Sequence, residues 1–231
     1  MKTMLALLLL AVVAACGCGQ GAEYYCPLKP GETAIYQISF KGSALEEALN
    51  GKLVVSTLPF RHLQGKDCLV VKYDFQGFPL SIPTEFQFVV SGPEGIYLFA
   101  EQSIEDPQPK LLDPPSFVLK NPVQPGTSWE EKYLPLLGEE NRKVTLTSVI
   151  ESVSETVTVP AGTYKNCVVV RSTLKGISLA KTSPSLQVEG LSWFAPGVGE
   201  VKFIFRERKS DPDSDEVEAV EFVGQLESLS R

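Results

Sequence analysis

The chain has 231 residues, 43% of them hydrophobic and 21% charged, enough for one large β-domain or two small ones. Its 21 Lys and Arg face 28 Asp and Glu, for a formal charge of −7. That balance repels phosphates and anionic headgroups, which argues against nucleic acid as a partner and against electrostatic membrane binding.

Residues 1–15 read as an export signal. Lys2 is a short basic start, and Leu5 to Ala15 is an apolar core of about ten residues, too short to span a bilayer. Val13-Ala14-Ala15-Cys16-Gly17 sets a cysteine directly after two small residues. Ordinary signal cleavage nearby and an uncleaved anchor are the rival readings, and Cys18 is the alternative to Cys16. Residues 16–26 then form a tether, with Cys18 and Cys26 close enough to close a small disulfide loop in an oxidising compartment. Cys68 and Cys167 lie in apolar strands, where either a buried thiol or a bridge fits.

Residues 27–231 read as a single β-domain written twice, 27–103 and 122–208, with a closing segment 209–231. Lys66-Asp67-Cys68-Leu69-Val70-Val71-Lys72 returns as Lys165-Asn166-Cys167-Val168-Val169-Val170-Arg171. Pro27-Leu28-Lys29-Pro30-Gly31 likewise returns as Pro122-Val123-Gln124-Pro125-Gly126, and Gly95-Ile96-Tyr97-Leu98-Phe99 as Gly190-Leu191-Ser192-Trp193-Phe194. Within each unit Tyr36 to Phe40, Val144 to Val149 and Val153 to Val159 alternate apolar and polar residues, the period of a half-buried strand. Leu69 to Val71 and Val168 to Val170 are unbroken β-branched and aliphatic runs, which suggest burial on both faces. Phe86 to Val90, Ile96 to Phe99, Val201 to Arg206 and Val217 to Leu229 extend the strand reading. Ala44 to Leu49 admits a short capped helix or a wide hairpin loop. Five prolines between residues 104 and 122 mark a crossover outside the body of the sheet. The expected architecture is mainly β, a curved antiparallel sheet or partly open barrel of two degenerate β-meanders with little helix.

Catalytic signatures are weak. The lone histidine, His62, sits beside the Gly65 turn and reads as solvent-facing. The pairs Glu46-Glu47, Glu130-Glu131 and Glu139-Glu140 read as solvated turns. Asp211, Asp213 and Asp215 alternate as calcium donors do but lack the loop glycine and the closing glutamate. Pro196 to Glu200 reads as a tight turn rather than a dinucleotide loop. No cofactor, metal or catalytic residue is assigned, and an envelope hydrolase remains an alternative. Trp129, Trp193, Phe194 and Phe203 are candidates to line a hydrophobic groove if they are not simply core.

Val13-Ala14-Ala15-Cys16 resembles the lipobox of secreted bacterial lipoproteins, which implies lipid attachment at Cys16 and a bilayer partner. Gly17 is similar to the residue found in lipoproteins sorted to the outer membrane, and implies a periplasm-facing anchor there. Val159-Pro160-Ala161-Gly162-Thr163-Tyr164, Cys167 to Val170, and Trp193-Phe194-Ala195-Pro196-Gly197-Val198-Gly199-Glu200-Val201-Lys202 resemble a signature of exported bacterial proteins of unknown function. That group resembles, more distantly, periplasmic lipoprotein carriers and their receptors, whose curved sheets are partly closed by helices. This resemblance implies a noncatalytic envelope lipoprotein that binds or assembles with envelope proteins. The alternative is a carrier or sensor of a hydrophobic ligand such as an acyl chain.

Overall fold

Twelve strands account for almost all of the described chain. The structure, a computed structural model, describes residues 20–43, 45–79, 82–133, 144–174, 185–210 and 217–231. The first six strands are β1 (Thr33–Gly42), β2 (Leu49–Leu63), β3 (Lys66–Gln76), β4 (Glu85–Gly92), β5 (Gly95–Ser103) and β6 (Lys110–Lys120). The second six are β7 (Ser128–Tyr133), β8 (Val144–Val159), β9 (Gly162–Leu174), β10 (Ser185–Ala195), β11 (Gly199–Ser210) and β12 (Val217–Ser230). A single helix, α1, covers Ala22–Tyr25.

Within β1 to β6 and within β7 to β12 each strand pairs antiparallel with its neighbours in sequence, and β1 pairs with β12, so the sheet order is β6-β5-β4-β3-β2-β1-β12-β11-β10-β9-β8-β7. This is an up-and-down barrel left unsealed at one seam, between β6 and β7, which follow each other in the chain but share no ladder. Phe86 to Val90, Ile96 to Phe99, Val201 to Arg206 and Val217 to Leu229 all fall on strands, as their composition predicts. Cys68 to Val71 and Cys167 to Val170 are buried throughout, on both faces of the sheet. Cys68 lies on β3 and Cys167 on β9, the third strand of each six, and both are free thiols. Gly95, however, opens β5, whereas Gly190 lies inside β10, so those two landmarks hold different strand positions.

Of the two readings of the stretch before β2, the wide loop holds: residues 45–48 carry no helix, and Leu49 already pairs with Phe40. Two local expectations need correction. The proline-rich stretch supplies an edge strand, β6, instead of an external crossover. Pro114 and Pro115 fit there because β5 has no partner for them between Ser116 and Leu111. The segment 16–26 is not all tether. Ala22 and Tyr25 are buried in the main core, Asn121 Oδ1 accepts from Ala22 N at 2.8 Å, and Tyr24 O accepts from Gly197 N at 2.7 Å.

The two ends of the barrel differ. At the end carrying α1, the start of β1 and the end of β12, three of the five turns have two residues, 64–65, 93–94 and 160–161. At the other end consecutive strands are separated by six to ten residues. The main core joins both halves through Leu69, Val89, Ile96 and Leu119 on one side and Trp129, Ile150, Val168 and Phe194 on the other.

Candidate interior binding site

Period-two alternation turns one face of every strand inward, and twelve strands enclose more room than their inward side chains fill. Two adjoining cavities remain, of about 500 and 180 Å³. They share Leu53, Tyr73, Gln87, Val118, Phe194, Glu200 and Phe203 as walls. The larger volume lies within the range of roughly 300 to 1,000 Å³ typical of small-molecule sites.

Trp129, Phe194 and Phe203 all line the larger cavity. Trp193 does not. Its neighbours Ser192 and Phe194 point inward, so alternation sends it to the outer face, where Lys202 Nζ sits 5.1 Å from its ring centre. Trp129 also works at the seam, donating from Nε1 to Phe117 O on β6 at 3.1 Å.

The walls carry three carboxyls, Glu32, Glu131 and Glu200, of which Glu32 is paired with Arg231. Glu131, on β7, shares the inward parity of Trp129, which corrects its reading as part of a solvated turn. Ser116 Oγ on β6 donates to its Oε2 at 2.5 Å, a second side-chain bond across the seam. Ser148 Oγ donates to Oε1 at 3.3 Å and pairs with Ser172 Oγ at 2.7 Å. Burial pushes the Glu131 carboxyl above its usual range, with the two serine bonds opposing. Glu200 is the second residue of β11, after Gly199, whose φ of 108° favours glycine. Burial raises its carboxyl to about 7, against a hydrogen bond from Ser192. The Tyr36 hydroxyl donates to the Glu200 carbonyl at 2.7 Å.

Sequence reading missed Glu131 and Glu200. The parity of Glu131 with Trp129 was a usable signal. For Glu200 there was none, because a bulge between Trp193 and Phe194 breaks the alternation count across β10 and β11.

The other candidates lie elsewhere. His62 Nδ1 is 2.9 Å from Asp67 Oδ1, both side chains are exposed, and His62 lines neither cavity. Cys26 borders the smaller cavity as a free thiol, and burial pushes it up to about 12. Cys16, Cys18 and Asp211 to Asp215 lie outside the described residues. Among the described residues no three His, Cys, Asp or Glu side chains gather as a metal-binding set.

No protein-family model matches the sequence, and no curated protein matches it. Among solved structures, the chain is similar to a protein of Bacteroides fragilis provisionally described as exported, with a YmcC-like fold. The identity is 16% and the TM-score 0.44, over 90% of this chain and 99% of the other. It is also similar to a protein of Parabacteroides distasonis provisionally described as a lipoprotein, with 14% identity and a TM-score of 0.41, over 91% and 100%.

Proposed function

We propose that the chain is a noncatalytic bacterial envelope lipoprotein, anchored through Cys16, whose barrel interior holds an apolar ligand. The cavity of about 500 Å³ walled by Trp129, Phe194 and Phe203 carries this reading. A protein that needed only stability would gain by filling such a space, since an unfilled interior forfeits packing. The export segment and lipobox support the anchor. Glu23 follows that anchor within a few residues, and α1 sits at the barrel end with the short turns. A membrane would then lie at that end, leaving the end with the longer connections directed away from it.

A second reading, an assembly component, draws on the outer face of β3 to β5. Phe86, Phe88, Tyr97 and Phe99 pack there with Cys68 and Val70, of which Phe88, Cys68 and Val70 are buried, and Phe60 and Leu111 on neighbouring strands stay exposed. Exposed apolar side chains of that kind suit protein contact.

Tryptophan fluorescence separates the two. In a Trp193→Phe background Trp129 is the sole tryptophan. Titration with decanol is expected to shift its emission and saturate at one ligand per chain. Gly190→Leu, whose new side chain would meet Ser172 Cβ at 3.4 Å and enter the cavity, is expected to abolish that response while thermal melting stays cooperative. An unchanged response in Gly190→Leu would place the ligand elsewhere.

A further inference from the structure

Two wall carboxyls, Glu131 and Glu200, differ from the charges around them in having serine hydroxyls as their side-chain partners. Across the outer face of β8 to β12 runs a ladder of alternating sign, Glu151, Arg171, Glu189, Arg206 and Glu221. Arg171 Nε lies 2.6 Å from Glu151, and Arg206 Nε lies 2.6 Å from Glu221. Even Glu32, on the wall of the smaller cavity, meets Arg231 at 3.3 Å. Serine hydroxyls are the side-chain partners of Glu131 and Glu200, and among the described residues no Lys, Arg or His lines either cavity. An ionised carboxylate has about four acceptor sites. The hydrogen bonds from Ser116 and Ser148 leave Glu131 with spare capacity, and the one from Ser192 leaves Glu200 with more. A carboxylate enclosed by apolar walls is costly until a cation or further donors reach it.

We propose that the ligand is an amphiphile with an ammonium head, seated with its head at Glu131 or Glu200 and its apolar body among Trp129, Phe194 and Phe203. This rests on the reading of the interior as a binding site and narrows its ligand. An acyl chain ending in a carboxylate or phosphate fits the apolar walls but meets Glu131 and Glu200 and, among the described residues, no cationic side chain in the walls. An ammonium supplies the donors and charge that both acids lack, and charge-assisted hydrogen bonds are the stronger kind. The same asymmetry discriminates between ligands of equal length, because the wrong head leaves polar groups unpaired.

Calorimetric titration of the full mature chain with decylamine, decanol and decanoate, at neutral pH and below micellar concentrations, tests this. Decylamine is expected to bind about ten-fold more tightly than decanol, and decanoate more weakly than decanol. The double variant Glu131→Gln, Glu200→Gln is expected to erase the advantage of the amine over decanol. If the double variant does not melt cooperatively, each single variant carries the same comparison and is expected to lose part of the advantage. Equal binding of amine and alcohol, decanoate binding as tightly as decylamine, or an amine preference that survives the substitutions overturns the ammonium assignment. Failure of all three ligands, decanol included, overturns instead the reading of the interior as a binding site.

Discussion

Glu200 is where interior chemistry and stability meet. Its folded value of about 7 stands above the ordinary 4.5 because burial penalises the charged form. Between those two pH values the folded chain holds a proton that the unfolded chain has released, so stability falls as pH rises through that window. The size is a few kcal/mol at most, reduced by the solvent that the cavity admits. The titratable groups that face Glu200, Cys26, Tyr36 and Tyr73, are all raised by burial and stay neutral throughout the window. Urea unfolding at pH 5 and pH 8 is expected to show the loss in the wild type and a flatter profile in Glu200→Gln. Equal slopes in the two proteins would remove Glu200 as the cause. The thiols follow the same logic. Burial raises Cys26 to about 12 and also raises Cys68 and Cys167. Because the thiolate is the nucleophile, an aromatic disulfide reagent at pH 8 is expected to label these three slowly in the native chain and rapidly in urea. Fast native labelling of Cys68 or Cys167 would contradict their burial.

Single strands show how glycines and bulges shape the cavity. Gly224 on β12 faces Phe203 across the ladder, and a Cβ added there would stand 2.2 Å from the ring. Gly224→Ala is expected to cost about 1 to 3 kcal/mol by overpacking, pushing Phe203 toward the cavity. Denaturant unfolding measures it, and a neutral result would mean that the ring has room to move. The long regular strands were legible because alternation and β-branching act locally, as in β1, β4, β5, β11 and β12. Less legible were β2 and β6. Pro114 and Pro115 in β6 read as part of a crossover, yet they fall where the ladder is interrupted, as Pro59 does in β2. Cavity walls were legible where parity ran unbroken, at Trp129, and were misread at Trp193, where local sequence does not reveal which face is inner. The proposed duplication draws support from Cys68 and Cys167 on third strands, while Gly95 and Gly190 show its two halves out of step by the fourth and fifth.

Barrel closure is uneven. The chain ends meet in a ladder that runs from Thr33–Ser230 to Gly42–Val220. At the opposite junction β6 and β7 meet through the side chains of Trp129, Ser116 and Glu131. Backbone ladders open cooperatively, whereas a side-chain clasp opens alone, so the seam is the low-stability end of the structure. Amide hydrogen exchange is expected to be faster in β6 and β7 than in β1 and β12, and faster still in Trp129→Phe. Equal protection at both junctions would mean the seam is sealed in solution. Short turns at the α1 end and a clasped seam bound the interior cavity, and the proposed function stands on its occupancy. The direct measurement is a crystal structure of the mature chain grown with 10-bromodecanol, with bromine located by its anomalous signal. One bromine site is expected inside the barrel, beside Trp129, Phe194 and Phe203. Bromine confined to the outer face, or a cavity closed by inward collapse of those rings, would contradict it.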